Sequence, residues 1–262
     1  MVPQVAGERP AVIVGHSLDL VAQARELGLP EQPHQLEVPS GGDASTTATI
    51  TVFEMGEVLL LPRHGVDRFT PAHAVDHHAH IRALCAAGAD RVLALASCGS
   101  LRTDLPVGSV MCPDDFLAPW CAPTFHADGE GHVVPGFDLE WRSEIMAAWA
   151  GAAAVAAPEA PSVVDGGVYA QTTGPRFETP AEVRMLASFA DVVGMTLVGE
   201  AVLAGEVGLR YAAICTVDNL ANGLGPSPLT PDEYHKGVVG TRRHVGAVMK
   251  ELLPRLVGRG PS

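Results

Sequence analysis

Several charged and hydroxyl-bearing residues follow short apolar runs of the sequence, at the points where predicted strands end. Ser17 follows the first run, Arg63 and His64 follow the next, and Ser97 and Thr196 close two later ones. In α/β proteins the carboxyl ends of the strands meet at one edge of the sheet, and ligands bind there. A guanidinium, hydroxyls and free backbone N–H groups are the donors that a phosphate-sized anion needs. The residues therefore predict an anion pocket, although each alone could be a helix cap or a surface residue at a strand end.

The elements that must position these residues alternate between β-branched apolar runs and helical patterns. The predicted strands are 11–17, 49–64, 91–100, 108–117, 162–174, 191–196 and 211–219, and the predicted helices are 18–27, 71–87, 139–153, 180–189, 199–207 and 231–258. The last helix begins with Thr230 as N-cap and Pro231 at its first position. The stretches 118–136 and 150–161 are expected to be surface loops. This alternation predicts an α/β fold around a mixed central sheet, with residues 1–262 as a single domain.

Composition limits the classes of function. A chain of 262 residues with 47% hydrophobic content can bury the core of one globular domain. The formal net charge of −13 disfavours nucleic acid and anionic membranes as partners, because both would be repelled. The five cysteines are scattered, odd in number and without a CxxC pair, which predicts a reduced, cytoplasmic protein. No apolar run reaches the length of a membrane span, so we expect neither a span nor secretion.

The order and spacing of the motifs resemble one known family. The segments are LLPRHG, HIRALCAAGADRVLALASCGSL, PVGSVMCPDDFL, GVYAQTTGPRFETPAEVRML and DVVGMTLVGEAVLAGEVGLRYAAICTVDN. They resemble the trimeric purine nucleoside phosphorylase and methylthioadenosine phosphorylase family over about residues 11–250. The resemblance implies a nucleoside phosphorylase-like fold, with a mixed, partly barrel-like central sheet surrounded by helices, and a homotrimer. It also implies phosphorolysis of an N-glycosidic bond with inorganic phosphate as co-substrate and neither a metal nor an organic cofactor.

The resemblance also assigns residues to phosphate and ribose. The implied phosphate-binding residues are Ser17, Arg63, His64, Ala96, Ser97 and Thr196. The loop VGHSLD around Ser17 departs from the glycine-rich turn that is usual in the family. Met195 matches the family's ribose contact, where a thioether can pack against the sugar. The alternative for Met195 is an ordinary core methionine.

The base contacts are expected in the turn that precedes the helix at 180–189. The ring of Phe177 can stack on a purine, and Glu178 can accept a hydrogen bond from a ring N–H. We expect Arg176 to pair with a neighbour and fix the loop. The alternative for Glu178 is a capping-box partner in the turn before TPAEV.

Asn219 falls at the position that reads the base. Its amide can donate to N7 or O6 of a purine, which favours a 6-oxopurine, and Ala221 stands where adenine-directed members carry an aspartate. A shift of one residue would instead place Asp218 in the pocket and favour an adenine-releasing S-methyl-5′-thioadenosine phosphorylase. His235 resembles the histidine that meets a 5′-hydroxyl, unless it is a solvated helix residue. Asn219, Glu178 and His64 are the predicted catalytic residues.

A histidine cluster supports a remote alternative. His73, His77 and His80 are spaced i, i+4 and i+7 on a predicted helix, with Asp76 and His78 beside them. One helical face with such residues could bind a metal and belong to a metal-dependent hydrolase. A polar or subunit-interface face is the simpler interpretation, because no HExxH motif accompanies the cluster. The other alternative is a nucleotide-binding protein that has the fold but no activity.

Overall fold

The computed structural model describes residues 2–15, 32–127, 133–158, 162–225 and 229–257. Ser17 and the helix predicted over 18–27 lie outside the described residues. The described part forms one α/β domain built on a mixed sheet of 11 strands. This agrees with the predicted fold class.

The strands follow in this order along the chain: β1 (Arg9–Val14), β2 (Gln32–Ser40), β3 (Thr46–Met55), β4 (Val58–Pro62), β5 (Ala89–Ser100), β6 (Val110–Cys112), β7 (Asp115–Leu117), β8 (Val164–Asp165), β9 (Val168–Gln171), β10 (Val192–Gly194) and β11 (Arg210–Leu220). In the sheet, β2-β3-β4-β1-β5-β10-β9-β7 are neighbours, β11 pairs with β5 and β6, and β6 pairs with β8. The central strand β5 is parallel to β1 and β11 and antiparallel to β10.

The sheet branches at the end of β5. Gly99 and Ser100 pair with β10 and also with β11. The ends of these strands therefore converge, and the apolar run that precedes Ser97 carries it to the branch point. The branch brings together residues that are far apart in sequence.

Three predicted strands prove to be divided, the run 162–174 into β8 and β9 among them, and one strand was not predicted. The run 49–64 forms the hairpin of β3 and β4, because Gly56 turns the chain at φ 63°. The run 108–117 likewise contains both β6 and β7. Strand β2 contains two prolines and is exposed over most of its length, so its sequence lacks the apolar pattern of a buried strand.

The helices of the described residues are α1 (His77–Ala86), α2 (Leu139–Ala156), α3 (Pro180–Leu186), α4 (Leu197–Val207) and α5 (Pro231–Leu256), with a 3₁₀ turn over Ala72–Ala74. The N-cap predicted for α5 is confirmed, because the Thr230 hydroxyl accepts a hydrogen bond from the Glu233 N–H. Two predictions are wrong in their bounds. Helix α1 begins six residues later than predicted, at the Asp76 cap, and α2 includes residues 150–156, which were predicted to be a loop.

Two apolar layers lie on opposite faces of the sheet. Alternate residues of β1 divide between them, since Ala11 and Ile13 pack in one layer and Val12 and Val14 in the other. Helices α1 and α4 cover the first layer, and α2 and α5 cover the second. None of the described helices is both long and apolar enough to cross a membrane.

Candidate active site

A cavity of about 390 Å³ opens at the converging strand ends. Eleven of the predicted site residues line it: Arg63, His64, Ala96, Ser97, Phe177, Glu178, Met195, Thr196, Asn219, Ala221 and His235. Arg63, His64, Ala96, Ser97 and Thr196 are called the anion end below. Phe177, Glu178, Asn219, Ala221 and His235, with Tyr234, are called the base end.

Arg63 is 1% exposed, and its side chain donates three hydrogen bonds to the described residues. Its Nε donates to Glu200 Oε1 at 2.5 Å, its Nη2 donates to Glu200 Oε2 at 2.9 Å, and its Nη1 donates to the Leu95 carbonyl oxygen at 2.9 Å. Burial alone would lower the pKa of Arg63, but the Glu200 carboxylate outweighs it and raises the pKa. The guanidinium therefore stays charged in the wall of the cavity.

Glu200 lies in the first turn of α4 and is fully buried. Its Oε2 also accepts a hydrogen bond from the Tyr211 hydroxyl at 2.7 Å. Burial raises the pKa of Glu200, but the charge and hydrogen bonds of Arg63 outweigh it, so the net pKa lies below its ordinary value. Glu200 was not predicted as a site residue, although an acidic residue within the apolar run LVGEAVLAG is a signal that it has a buried partner.

His64 is oriented by its own loop. Its Nδ1 lies 2.7 Å from the Thr70 carbonyl oxygen, and since a carbonyl oxygen only accepts, Nδ1 carries the proton of that hydrogen bond. The imidazole stacks on Phe69 with ring centroids 5.1 Å apart. Phe69 also lines the cavity and was not predicted as a site residue.

Helix α4 begins at the anion end. Its N-cap is Thr196, whose side chain makes no capping hydrogen bond to the described residues and lines the cavity instead. The Thr196 N–H donates to the Tyr169 hydroxyl at 3.3 Å. The N-terminus of a helix favours anions through its dipole and its free N–H groups. The position of α4 is thus suited to a bound anion.

Met195 lies between the two ends, beside the turn that carries Phe177 and Glu178. Gly174 in that turn has φ 62°, and a Cβ built there would lie 2.5 Å from Met195 Sδ. The close approach requires glycine, because a side chain would displace the thioether. The packing fixes Met195 in the cavity wall.

The loop between β9 and α3 holds Glu178 in a buried position. Glu178 is 7% exposed, and its Oε1 accepts a hydrogen bond from the Thr172 hydroxyl at 2.6 Å. The capping box of α3 consists of Thr179 and Glu182, so the capping-box interpretation of Glu178 is wrong. Arg176 pairs with Glu182 through two hydrogen bonds of 2.8 Å, as predicted for a residue that fixes the loop.

Aromatic rings form one wall of the base end. The Phe177 and Tyr234 ring centroids lie 5.6 Å apart, and those of Tyr234 and His235 lie 5.5 Å apart. Tyr234 lies beside His235 in the first turn of α5 and was not predicted as a site residue. Burial raises the pKa of the Tyr234 phenol, and a hydrogen bond with Ser97 partly offsets this effect.

A bulge in β11 separates Asn219 from Asp218. The register with β5 shifts between Val217 and Asn219, which leaves Asp218 as the extra residue. Asn219 lines the cavity, and its Nδ2 donates to the Leu220 carbonyl oxygen at 2.9 Å. Asp218 is not among the described residues that line the cavity; it is 1% exposed and accepts a hydrogen bond from the Thr241 hydroxyl of α5.

The predicted face of three histidines does not form. His73 is exposed in the 3₁₀ turn before α1, whereas His77 and His80 pack inward toward Glu200. Potential metal-ligand atoms of His77, His80 and Glu200 lie within 4.8 Å of one another. Burial lowers the pKa of His77 to about 4 and that of His80 to about 3, so both imidazoles are neutral at pH 7.

The sequence matches the family described as the phosphorylase superfamily over residues 10–254. The chain belongs to the phosphorylase superfamily. A probable 6-oxopurine nucleoside phosphorylase of Archaeoglobus fulgidus is 38% identical over 192 residues, which cover 72% of this chain and 74% of the relative. A probable S-methyl-5′-thioinosine phosphorylase of Methanosarcina acetivorans is 37% identical over 233 residues, which cover 88% of this chain and 85% of the relative.

Solved structures of this superfamily share the fold. A methylthioadenosine phosphorylase from an Antarctic soil metagenomic library superposes with a TM-score of 0.76 at 22% identity, covering 98% of this chain and 88% of that structure. The methylthioadenosine phosphorylase of Schistosoma mansoni, in complex with adenine, superposes with a TM-score of 0.74 at 22% identity, covering 95% of this chain and 92% of that structure. At this identity the likeness concerns the fold.

Proposed function

We propose that the protein is a purine nucleoside phosphorylase that prefers 6-oxopurine nucleosides. It is a pentosyltransferase that uses phosphate to cleave the N-glycosidic bond and yields the free base and a pentose 1-phosphate. The pentose is a ribose, deoxyribose or 5-methylthioribose. The observation that carries the base preference is the bulge in β11, since Asn219 lines the cavity and Asp218 packs against α5.

The anion end binds phosphate in this proposal. Arg63 donates N–H groups to the phosphate, and His64, Ser97, Thr196 and the backbone at Ala96 supply the remaining donors. Phosphate attacks C1′ as the bond from C1′ to the base breaks and the sugar becomes cationic. Donors fixed in advance favour this transition state, because they do not have to reorganise during the reaction. Ser17 remains a proposed ligand on the strength of the family resemblance.

The base end stabilises the negative charge that develops on the purine as the bond to C1′ breaks. One N–H of Asn219 is held by the Leu220 carbonyl oxygen, which leaves the other N–H for N7 or O6 of the purine. Glu178 accepts from N1–H, a donor that a 6-oxopurine has and adenine lacks. Ala221 provides no carboxylate at the position where adenine-directed members of the family carry an aspartate. The names of two relatives, a probable 6-oxopurine nucleoside phosphorylase and a probable S-methyl-5′-thioinosine phosphorylase, support the same preference, because the base of inosine is a 6-oxopurine.

The sugar lies between the two ends. Met195 packs against the ribose, Phe177 and Tyr234 flank the base, and His235 lies near the 5′ substituent. In this arrangement His235 donates to or accepts from a 5′-hydroxyl, and the rings of Tyr234 and Phe69 accommodate an apolar 5′ group.

Assembly, location and cofactor use are part of the same proposal. We propose a cytoplasmic homotrimer in which residues 1–262 act as one nucleoside phosphorylase domain, with no cofactor besides the phosphate that is consumed. The family resemblance supports the trimer, and the five free cysteines support a reducing compartment. Sedimentation equilibrium tests the trimer, because a mass of one or two chains would contradict it.

The substrate is tested by base release from four nucleosides with and without phosphate: inosine, adenosine, methylthioinosine and methylthioadenosine. We expect phosphate-dependent release of hypoxanthine from inosine and methylthioinosine. The better substrate of these two defines the 5′ preference. Adenine release from methylthioadenosine alone would contradict the role of Asn219 and favour an S-methyl-5′-thioadenosine phosphorylase.

A further inference from the structure

Glu200 lies directly behind the anion end and is not among the described residues that line the cavity. Its two oxygens accept from Arg63 at 2.5 Å and 2.9 Å and from Tyr211 at 2.7 Å. Both partners are 1% exposed, and Glu200 is fully buried. Removing one partner of a charged pair at this depth strongly destabilises the folded protein, because the other charge is left buried and unpaired. Arg63 and Glu200 therefore form one structural unit.

The pairing determines which N–H groups of Arg63 remain available. A guanidinium has five N–H groups, and Arg63 uses one on Nε, one on Nη2 and one on Nη1 in its hydrogen bonds. One N–H group on Nη1 and one on Nη2 have no hydrogen bond to the described residues. Gly15 packs close to this edge, since a Cβ built on Gly15 would lie 3.0 Å from Nη1. Rotation of the guanidinium would break its hydrogen bonds with Glu200 and with the Leu95 carbonyl oxygen.

A cation site is the other use that this cluster suggests, because His77, His80 and Glu200 place possible ligand atoms within 4.8 Å. The two imidazole Nδ1 atoms have no hydrogen-bond partner among the described residues. Glu200, however, is already paired with a buried guanidinium, and a metal ion would have to lie beside that positive charge. The geometry therefore favours Arg63, rather than a metal ion, as the cation that pairs with Glu200.

We propose that Glu200 is a positioning residue for phosphate. Its carboxylate holds the Arg63 guanidinium in the orientation that presents the two remaining N–H groups to the anion, and the Tyr211 hydroxyl holds the carboxylate. Because the pair is neutral overall, directed hydrogen bonds rather than net charge retain phosphate at this end. This inference rests on the proposed function, in which phosphate is the co-substrate.

The test compares phosphate binding in the unsubstituted protein and in Glu200→Gln by calorimetric titration with inorganic phosphate. The amide is nearly the same size as the carboxylate but lacks its charge and cannot accept both Arg63 hydrogen bonds equally well. We expect the Kd for phosphate to rise about 10- to 100-fold, as for the loss of a charge-assisted contact. The KM for nucleoside should stay within about 2-fold, because Glu200 does not reach the base end.

Two further variants separate positioning from general destabilisation. Tyr211→Phe keeps Glu200 and removes one hydrogen bond from it, and should raise the Kd for phosphate by about 3-fold. Asp165→Asn breaks a different ion pair, between Arg142 and Asp165 at 2.5 Å, and should leave the Kd unchanged. If Glu200→Gln does not fold, Tyr211→Phe decides the question.

The inference is overturned if a folded Glu200→Gln protein, or Tyr211→Phe in its place, binds phosphate as tightly as the unsubstituted protein. It is also overturned if Asp165→Asn weakens phosphate binding as much as Glu200→Gln does. A failure of the proposed function would look different, because the unsubstituted protein itself would then not bind phosphate. In that case the role of Glu200 in phosphate binding fails with it.

Discussion

The two ends of the cavity differ in how their side chains are held. At the anion end, Arg63 is buried at the end of β4 and paired with Glu200 of α4. At the base end, Phe177 lies in a loop and Tyr234 and His235 lie in the first turn of α5, where His235 is exposed. In the proposed function, the guanidinium that binds phosphate is thus built into the core, and only the ring contacts of the base end lie near the surface, because Glu178 and Asn219 are themselves buried.

This difference has a consequence for substitution. A change in the buried pair leaves an unpaired charge in the core, so it affects stability and phosphate binding together. A change in an aromatic residue at the base end removes stacking area but leaves no charge unpaired.

The largest effect is expected from Arg63→Ala. Loss of the guanidinium should lower kcat by about 100- to 1,000-fold or more and raise the KM for phosphate, since the anion is held against a developing cation. Steady-state kinetics with phosphate as the varied substrate measures both. Arg102→Ala, which removes an exposed guanidinium paired with Asp104, is the control and should have normal kinetics. If Arg63→Ala had near-normal activity, the assignment of the anion end as the phosphate site would be wrong.

Asn219→Asp should change which base is released. A protonated carboxyl can donate to N7 and a carboxylate can accept from a 6-amino group, so the ratio of kcat/KM for adenosine to that for inosine should rise about 10- to 100-fold. The matched control is the neighbouring Asp218→Asn, which lies outside the cavity lining and should not alter the ratio. A shift in selectivity with Asp218→Asn and none with Asn219→Asp would reverse the assignment.

Phe177→Ala should have a smaller effect, confined to the base end. Loss of one stacking ring should raise the KM for nucleoside about 10-fold and leave the KM for phosphate within about 2-fold. Phe189→Ala, which removes an exposed ring outside the cavity lining, is the control. An equal rise in both KM values would mean that the two ends are not separable.

The last prediction concerns stability at low pH rather than catalysis. Burial lowers the folded-state pKa of His77 to about 4 and of His80 to about 3, below the ordinary value of 6.5. The unfolded chain therefore binds these protons first, so stability is complete above pH 6.5 and falls as the pH drops toward 4. Between the unfolded-state and folded-state pKa values, the free energy of unfolding falls by at most about 1.4 kcal/mol per pH unit for each imidazole.

Chemical denaturation at several pH values between about 7 and about 4.5 tests this prediction. His80→Asn should reduce the dependence of the free energy of unfolding on pH, whereas His73→Asn, at an exposed position, should not. The same dependence in all three proteins would mean that His80 is not buried beside Glu200 and Arg63.

The sequence was informative wherever a local pattern determines the structure. Apolar runs located β1, β5 and β11. Arg63, which follows β4, and Ser97, which lies near the end of β5, do line one cavity. Strand β2 was missed because it is exposed and contains proline, so no apolar pattern marks it. Thr230 and Pro231 located the start of α5 because capping is a local interaction.

Long-range features could not be predicted in the same way. Arg63 and Glu200 are 137 positions apart, and their pairing depends on how α4 packs on the sheet. The bulge at Asp218 depends on the register between β11 and β5, which a single sequence does not determine. Tyr234 enters the site because α5 begins beside Phe177, and no motif marked it.

The most direct test of this account follows both products of one reaction. The protein is mixed with inosine and inorganic phosphate, ³¹P NMR measures ribose 1-phosphate, and absorbance measures hypoxanthine. If phosphate attacks C1′, the two products appear in equal amounts, and neither appears without phosphate. Hypoxanthine with free ribose and unconsumed phosphate would mean hydrolysis, and would contradict the assignment of the anion end as the site of the attacking phosphate.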